Sequence, residues 1–387
     1  MKILIVIDTL GSGGAQKLKL ELAQGLVKKG HSIDLFIYDS NYQFFEKDFI
    51  NAGIKIHIAQ RDSKGFSFNV LKELRSLIIK GKYEAIISSL HAPSIYAAMA
   101  IIGIKSPRLI VCEESSSLAP VPWIKKTLFY FSTLVADVVV ANSFSETELM
   151  KKIPGRSNKI VTIWNGFDTE SIPFSLKSHD IKKNIEKILV VGRVAYPKNG
   201  LNLMKAMSLF LEKNGWMPEV NWIGRRDTDK RSAKDVMSYK LQEQMDEFLK
   251  NNKDLSDNWN WLGNVDDVYI HYRNSDVLIT PSLYEGLPVV ICEAMLSGCF
   301  VIASNVCDHP LLMGDEERGL LCDPNSPESI CEAIERLNDM DISERDKMIH
   351  NARGFAEKSF TIKKMTESYE SLLIDNSNNL KEKELNV

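Results

Sequence analysis

Residues 277–298 read Val277-Leu278-Ile279-Thr280-Pro281-Ser282-Leu283-Tyr284-Glu285-Gly286-Leu287-Pro288-Val289-Val290-Ile291-Cys292-Glu293-Ala294-Met295-Leu296-Ser297-Gly298. The first four residues are a short aliphatic run of strand length, and Val289–Ser297 has the length and composition of a buried helix. Pro288 suits the first helical position, where its missing N–H needs no partner, and Gly298 is a natural stop. A strand passing through a glycine-bearing loop into a helix is half of a βαβ unit, and such units build parallel sheets. The helix start offers free amides and a partial positive charge to a phosphate. Glu285 falls just before it and Glu293 on its second turn, so two carboxylates converge on an anion-seeking end. The Gly286 and Leu287 amides suit a diphosphate, and Glu293 suits the paired hydroxyls of a ribose. Two solvated surface acids are the alternative.

Outward from this stretch the alternation repeats. Ile188–Val191, Val220–Ile223, Asn260–Leu262, Val301–Ala303 and Gly319–Leu321 read as further strands, with helices at Asn202–Glu212, Leu241–Lys250 and Pro327–Asn338. An earlier series has strands at Ile3–Ile7, Ser32–Ile37, Ile54–Ile58, Ala85–Ser88, Arg108–Cys112, Asp137–Ala141 and Lys159–Ile163, with helices at Ala15–Lys29 and Val70–Lys80. The pattern predicts an α/β fold of two doubly wound parallel-sheet domains, over residues 1–170 and 188–358, joined by a polar linker at 171–187. Ligands of such sheets bind at the carboxyl ends of the strands, so the cleft between the domains is the expected site. Residues 375–387, rich in Asn and Lys, read as a disordered tail.

The composition agrees with a folded chain. Of 387 residues 44% are hydrophobic and 26% charged, and 48 basic against 51 acidic residues leave a net charge of -3. That balance argues against a dedicated nucleic-acid binder. Residues 1–170 carry 21 basic against 16 acidic residues (+5), and the remainder 27 against 35 (-8). A basic first half suits an anionic lipid surface or a phosphorylated ligand, or is simply a solvated face. The six cysteines form no Cys-x-x-Cys pair and read as reduced core thiols of a cytoplasmic protein. No apolar run reaches the roughly 20 residues of a spanning helix, and the N-terminal run is too short for a signal peptide.

Two further loops carry chemistry. The first strand runs into Gly11-Ser12-Gly13-Gly14 before a helix, where Gly13 and Gly14 let the backbone approach a phosphate. Gln16 occupies the third-glycine position of the dinucleotide fingerprint, which weakens a dehydrogenase reading despite Asp39 at the end of the second strand. Gly192-Arg193 and Lys198 follow the first strand of the second domain, and two cations there can neutralise a leaving diphosphate. Asp227-Thr228-Asp229 has the form of a metal–diphosphate motif, yet sits among four basic residues and reads as a solvated loop.

Together Gly192-Arg193, Lys198, Pro281-Ser282, Glu285, Gly286, Pro288 and Glu293 resemble the donor-binding half of the family 4 retaining glycosyltransferases, whose fold is GT-B. Trp164-Asn165-Gly166-Phe167-Asp168 is similar to a Pro-Asn-Gly-Val-Asp segment of that family, and Leu262-Gly263-Asn264-Val265 to its base-binding turn. The resemblance implies that Arg193 and Lys198 hold the nucleotide diphosphate and Glu293 the ribose. It places Glu285, with Gly286 and Leu287, against the donor sugar and β-phosphate, and Asn264-Val265 against the base. It implies a metal-free enzyme without a cofactor, taking a nucleotide sugar, UDP-linked for preference, to a saccharide or polyprenyl-diphosphate-linked acceptor in surface-polysaccharide synthesis. It also implies that a last helix, about 360–375, crosses back onto the first domain.

The chain departs from the family at the end of the fifth strand, where Glu113 stands at the place of a common His and Glu114 follows it. Glu113 is therefore a candidate acceptor-side base or a structural acid, and His91 a second acceptor-side candidate or a structural imidazole. Trp123-Ile124-Lys125-Lys126-Thr127-Leu128-Phe129-Tyr130-Phe131 reads as an interfacial segment at the cytoplasmic face of a membrane, or as a buried helix with snorkelling lysines. A nucleotide-sugar epimerase and a non-catalytic nucleotide-binding protein are the competing functions.

Overall fold

The computed structural model describes all residues except 12, 42, 64, 115, 117, 119–120, 177–183, 227–235 and 375–387. The Asp227–Asp229 motif and the tail at 375–387 lie outside the described residues. The chain divides into two compact units, one of Met1–Asp168 with the residues from Ser359 on, the other of Thr169–Lys358.

The first unit holds a sheet of seven strands: β1 (Lys2–Val6), β2 (Ser32–Ile37), β3 (Lys55–Ile58), β4 (Ala85–Ser89), β5 (Arg108–Glu113), β6 (Val138–Ala141) and β7 (Ile160–Thr162). Their order is β3-β2-β1-β4-β5-β6-β7 and every pairing is parallel. Alternation along β1 explains the two helical layers. Ile3 and Ile5 enter one core with Leu22, Leu26 and Tyr369, while Leu4 and Val6 enter the other with Val70, Leu74 and Ile78. Both faces are buried, so the strands are nearly continuous in Ile, Val and Leu.

The second unit repeats the plan with β8 (Lys187–Val191), β9 (Glu219–Ile223), β10 (Trp259–Gly263), β11 (Val277–Thr280), β12 (Phe300–Ser304) and β13 (Leu320–Cys322), in the parallel order β10-β9-β8-β11-β12-β13. In each sheet the order reverses once, between β1 and β4 and between β8 and β11. These switch points splay the flanking loops and leave a crevice at the carboxyl ends of the strands.

The last helix, Ile362–Ile374, packs within the first unit: Met365, Tyr369, Leu372 and Leu373 join the core beside β1. Gly166 makes its entry possible. A Cβ there would lie 2.7 Å from both Ile362 Cα and Thr361 O, so any side chain would displace the returning backbone. Phe167 pairs with Thr361 across that crossing. In the expected linker, Ile172 is buried and Ser175 N donates to Ser297 O at 3.3 Å, so the described part of it packs onto the second unit.

Three expectations are corrected. Pro288 is the residue preceding the helix Val289–Ser297, one position earlier than expected, and its carbonyl receives Ile291 N at 2.9 Å. Cys307 is half-buried in a loop with φ +49°, unlike the other five thiols, which are buried. The helix Trp123–Val135 buries only Phe129, Ser132 and Thr133; Trp123 is 75%, Ile124 54% and Leu134 50% exposed, so it is not a buried helix with snorkelling lysines. Among the described residues no helix is long and apolar enough to cross a membrane.

Candidate active site

The loops after β8 and β11, on either side of the second switch point, carry the residues singled out for the diphosphate. Gly192 leaves β8 at φ +140°, a conformation that excludes ordinary side chains, and a Cβ there would come within 2.9 Å of Lys198 Cε. The turn Tyr196–Lys198 then delivers Lys198 Nζ to Glu285 Oε1 at 2.5 Å. The same carboxylate oxygen accepts Ser282 Oγ at 2.7 Å. Burial alone would raise the Glu285 carboxyl, but the Lys198 ammonium and these hydrogen bonds outweigh it and hold it below its ordinary value. The pair is thus an ionised carboxylate and a cation at the carboxyl end of a parallel sheet. Arg193, on the same loop as Lys198, is exposed.

Two struts fix the β8 loop on the β11 loop, and neither carries a sequence signal strong enough to single it out. Asn199 sits in the left-handed region at φ +56° and donates its side-chain amide to Pro281 O at 3.0 Å and to Pro324 O at 2.6 Å. Leu283 N donates to Pro197 O at 2.8 Å. Gly286 is half-buried and Leu287 buried, both ahead of the helix Val289–Ser297. Glu293 is buried on that helix and accepts Tyr272 Oη at 3.1 Å. Burial and this carboxylate push the Tyr272 hydroxyl well above its ordinary value, so it stays a donor. Asn264 is exposed and Val265 half-buried beyond the end of β10.

In the first unit Gly13 precedes the helix Gly14–Lys28 in extended conformation, and a Cβ on it would strike Gln16 Oε1. Gln16 Nε2 in turn donates to Asp8 Oδ1 at 3.2 Å. The residue at the third-glycine position is therefore spent on bracing the loop. Across the switch point, Leu90 holds φ +72° and ψ +160°, a region nearly closed to side-chain-bearing residues. It turns the chain so that His91, first residue of the helix His91–Ile101, brings Nε2 to Glu113 Oε2 at 2.9 Å. The two acceptor-side candidates are one hydrogen-bonded pair. Phe129 packs on the His91 ring at 4.2 Å between centroids with the planes tilted by 36°, and Glu113 is only 2% exposed. Glu114 is engaged elsewhere, in a buried ion pair with Lys19 at 2.6 Å. No cluster of metal-ligating residues occurs among the described residues.

Known proteins resemble the chain over both units. Residues 171–355 match the family model of glycosyl transferases group 1, and residues 12–171 that of glycosyltransferase family 4. The chain is 26% identical over 390 residues (98% of this chain, 99% of the other) to the GalNAc-alpha-(1->4)-GalNAc-alpha-(1->3)-diNAcBac-PP-undecaprenol alpha-1,4-N-acetyl-D-galactosaminyltransferase of Campylobacter jejuni. It is 27% identical over 277 residues (68% and 66%) to the UDP-Gal:alpha-D-GlcNAc-diphosphoundecaprenol alpha-1,3-galactosyltransferase of Escherichia coli. The fold matches that of Anabaena HepE, crystallised with UDP and glucose, at a TM-score of 0.79 and 18% identity over 96% of this chain and 99% of that one.

Proposed function

This chain belongs to the family 4 glycosyltransferases, and from that premise we propose that it moves a sugar, with retention and without a metal, from a UDP-linked donor to a lipid-diphosphate-linked saccharide. The observation that carries the reading is the Lys198–Glu285 pair, set at the second switch point beside the helix start at Val289. As the bond from the anomeric carbon to the β-phosphate oxygen breaks, charge develops on the departing diphosphate. Lys198, Arg193 and the Gly286 and Leu287 amides stabilise it, which is the work a divalent ion would otherwise do. Glu293, oriented by Tyr272, receives the ribose hydroxyls, and Asn264-Val265 meets the base. In the first unit, Gly13 and Gly14 at the start of the helix Gly14–Lys28 are suited to a phosphate.

On the acceptor side, Glu113 accepts the His91 Nε2–H and so leaves Nδ1 as the ring's proton acceptor. His91 is then the base and Glu113 its orienting partner, the arrangement of a carboxylate–histidine dyad. The acceptor hydroxyl attacks from the leaving-group face, and no side chain is assigned as a covalent nucleophile. A lipid-linked acceptor is supported by the Campylobacter and Escherichia relatives, whose names specify undecaprenyl-linked substrates. The exposed apolar face of the helix Trp123–Val135, whose Phe129 packs against His91, supports contact with the membrane that holds such a lipid.

Incubating the protein with UDP-sugars and polyprenyl-diphosphate saccharides tests this. Product with the donor's anomeric configuration by proton NMR, at a rate unaffected by chelator, is expected. An interconverted donor sugar without acceptor would indicate an epimerase, and inhibition reversed by manganese would restore the Asp227–Asp229 motif as a metal site.

A further inference from the structure

His309 opens the helix His309–Met313 after β12 and is fully buried. Its Nδ1 lies 2.8 Å from Ser304 O; a carbonyl only accepts, so Nδ1 carries a proton. Ser304 Oγ donates to Ser282 O at 2.6 Å, and Ser282 Oγ donates to Glu285. A short ladder of hydrogen bonds therefore runs from the imidazole to the carboxylate that holds Lys198. On the adjoining loop, Glu285 N donates to Cys307 Sγ at 3.4 Å. The other ring nitrogen, Nε2, is buried without a hydrogen-bond partner among the described residues, a state that proteins rarely tolerate without use.

The charged groups acting on this ring are Glu285, from the loop after β11, Lys198, from the loop after β8, and Asp308, its own neighbour in sequence. Burial favours the neutral ring, Glu285 and Asp308 favour its protonation, and Lys198 opposes it. A diphosphate that competed with Glu285 for the Lys198 ammonium would alter this balance.

We propose that His309 is a positioning residue that couples donor binding to proton uptake. Its Nδ1–H steadies the Ser304–Ser282 ladder beneath Glu285, and its Nε2 takes a proton from solvent when Lys198 moves from Glu285 to a nucleoside diphosphate. One N–H bond forms, the proton comes from water or buffer, and no bond of the donor breaks. The imidazolium then supplies the positive charge that Glu285 has lost. The inference rests on the reading of the second unit as a donor site.

Calorimetric titration of the full chain with UDP, near neutral pH in buffers of different ionisation heat, tests it. Wild type should show buffer-dependent heats equal to a net uptake of up to one proton, with UDP affinity rising toward lower pH by at most about tenfold per unit. His309→Asn, whose side-chain amide can still donate to Ser304 O, should bind UDP with that uptake abolished. Ser304→Ala keeps the carbonyl and the imidazole and should retain the uptake while lowering kcat, which separates charge from positioning. Buffer-independent heats in wild type, or unchanged uptake in His309→Asn and His309→Gln, would overturn the proposal alone. Failure of wild type to bind UDP or any other nucleoside diphosphate would overturn the donor-site reading with it.

Discussion

Asn199 illustrates how the site depends on single side chains that no motif marks. It adopts a left-handed backbone, which asparagine tolerates better than most residues, and spends its amide on two buried carbonyls. Asn199→Ala should remove the side-chain donor from Pro281 O, leave Pro324 O with Asn202 Nδ2 alone, and strain the turn, costing about 1–3 kcal/mol in urea unfolding. Because the turn aims Lys198, kcat should fall with it. The Lys198–Glu285 contact spans 87 positions in sequence. Lys198, Glu285 and Glu293 were legible because each lies in a glycine- or proline-punctuated loop or in the helix that follows one. Asn199, Tyr272 and His309 were not, since what selects them is a tertiary partner rather than a local pattern. His91 and Glu113 were each visible alone, and only the adjacency of β4 and β5 joins them. His91→Ala should lower kcat for transfer sharply with UDP binding unchanged, while Glu113→Gln, whose amide oxygen can still accept from Nε2, should keep partial activity.

The parallel strands were the easiest elements to read, because burial on both faces makes them continuous aliphatic runs. Helices with an exposed apolar face were harder. Trp123–Val135 turns Phe129, Ser132 and Thr133 inward and its opposite apolar face to solvent, and the sequence is compatible with both the buried and the interfacial readings. The helix Ile342–Ser359 went unread because its polar composition hides the buried Met348, Ile349, Ala352 and Ala356. If the exposed face of Trp123–Val135 enters a lipid interface, Trp123→Ser with Phe131→Ser removes two aromatic side chains. Each contributes about 1.5–3 kcal/mol when fully buried, so sedimentation with phosphatidylethanolamine–phosphatidylglycerol vesicles should drop at least tenfold. Transfer to a short-chain, water-soluble acceptor should persist; equal loss in both assays would point to misfolding.

At the scale of the molecule, each sheet keeps its chemistry at its own switch point, and each unit carries an ion pair that ties stability to pH. Burial pulls the Lys19 ammonium down, but its interactions with Cys112, Glu114 and Tyr369 win and hold it above its ordinary value. A raised lysine contributes stability below its unfolded value, and the contribution is lost as pH rises through the folded one. Glu285, held low, behaves oppositely: its contribution is present above its unfolded value and lost as pH falls through the folded one. The first unit should therefore lose stability in strong alkali and the second in acid, readable in thermal scans across pH. Lys19→Met should cost about 3–5 kcal/mol by leaving Glu114 buried and unpaired, and Lys19→Met with Glu114→Gln should recover much of that.

The most direct test is sugar transfer from a UDP-sugar by Lys198→Ala and Arg193→Ala variants whose thermal unfolding matches wild type. Loss of one preorganised charge stabiliser should lower kcat by roughly 10²–10³, with acceptor KM little changed. Full kcat in both variants would contradict a donor site built on these two cations.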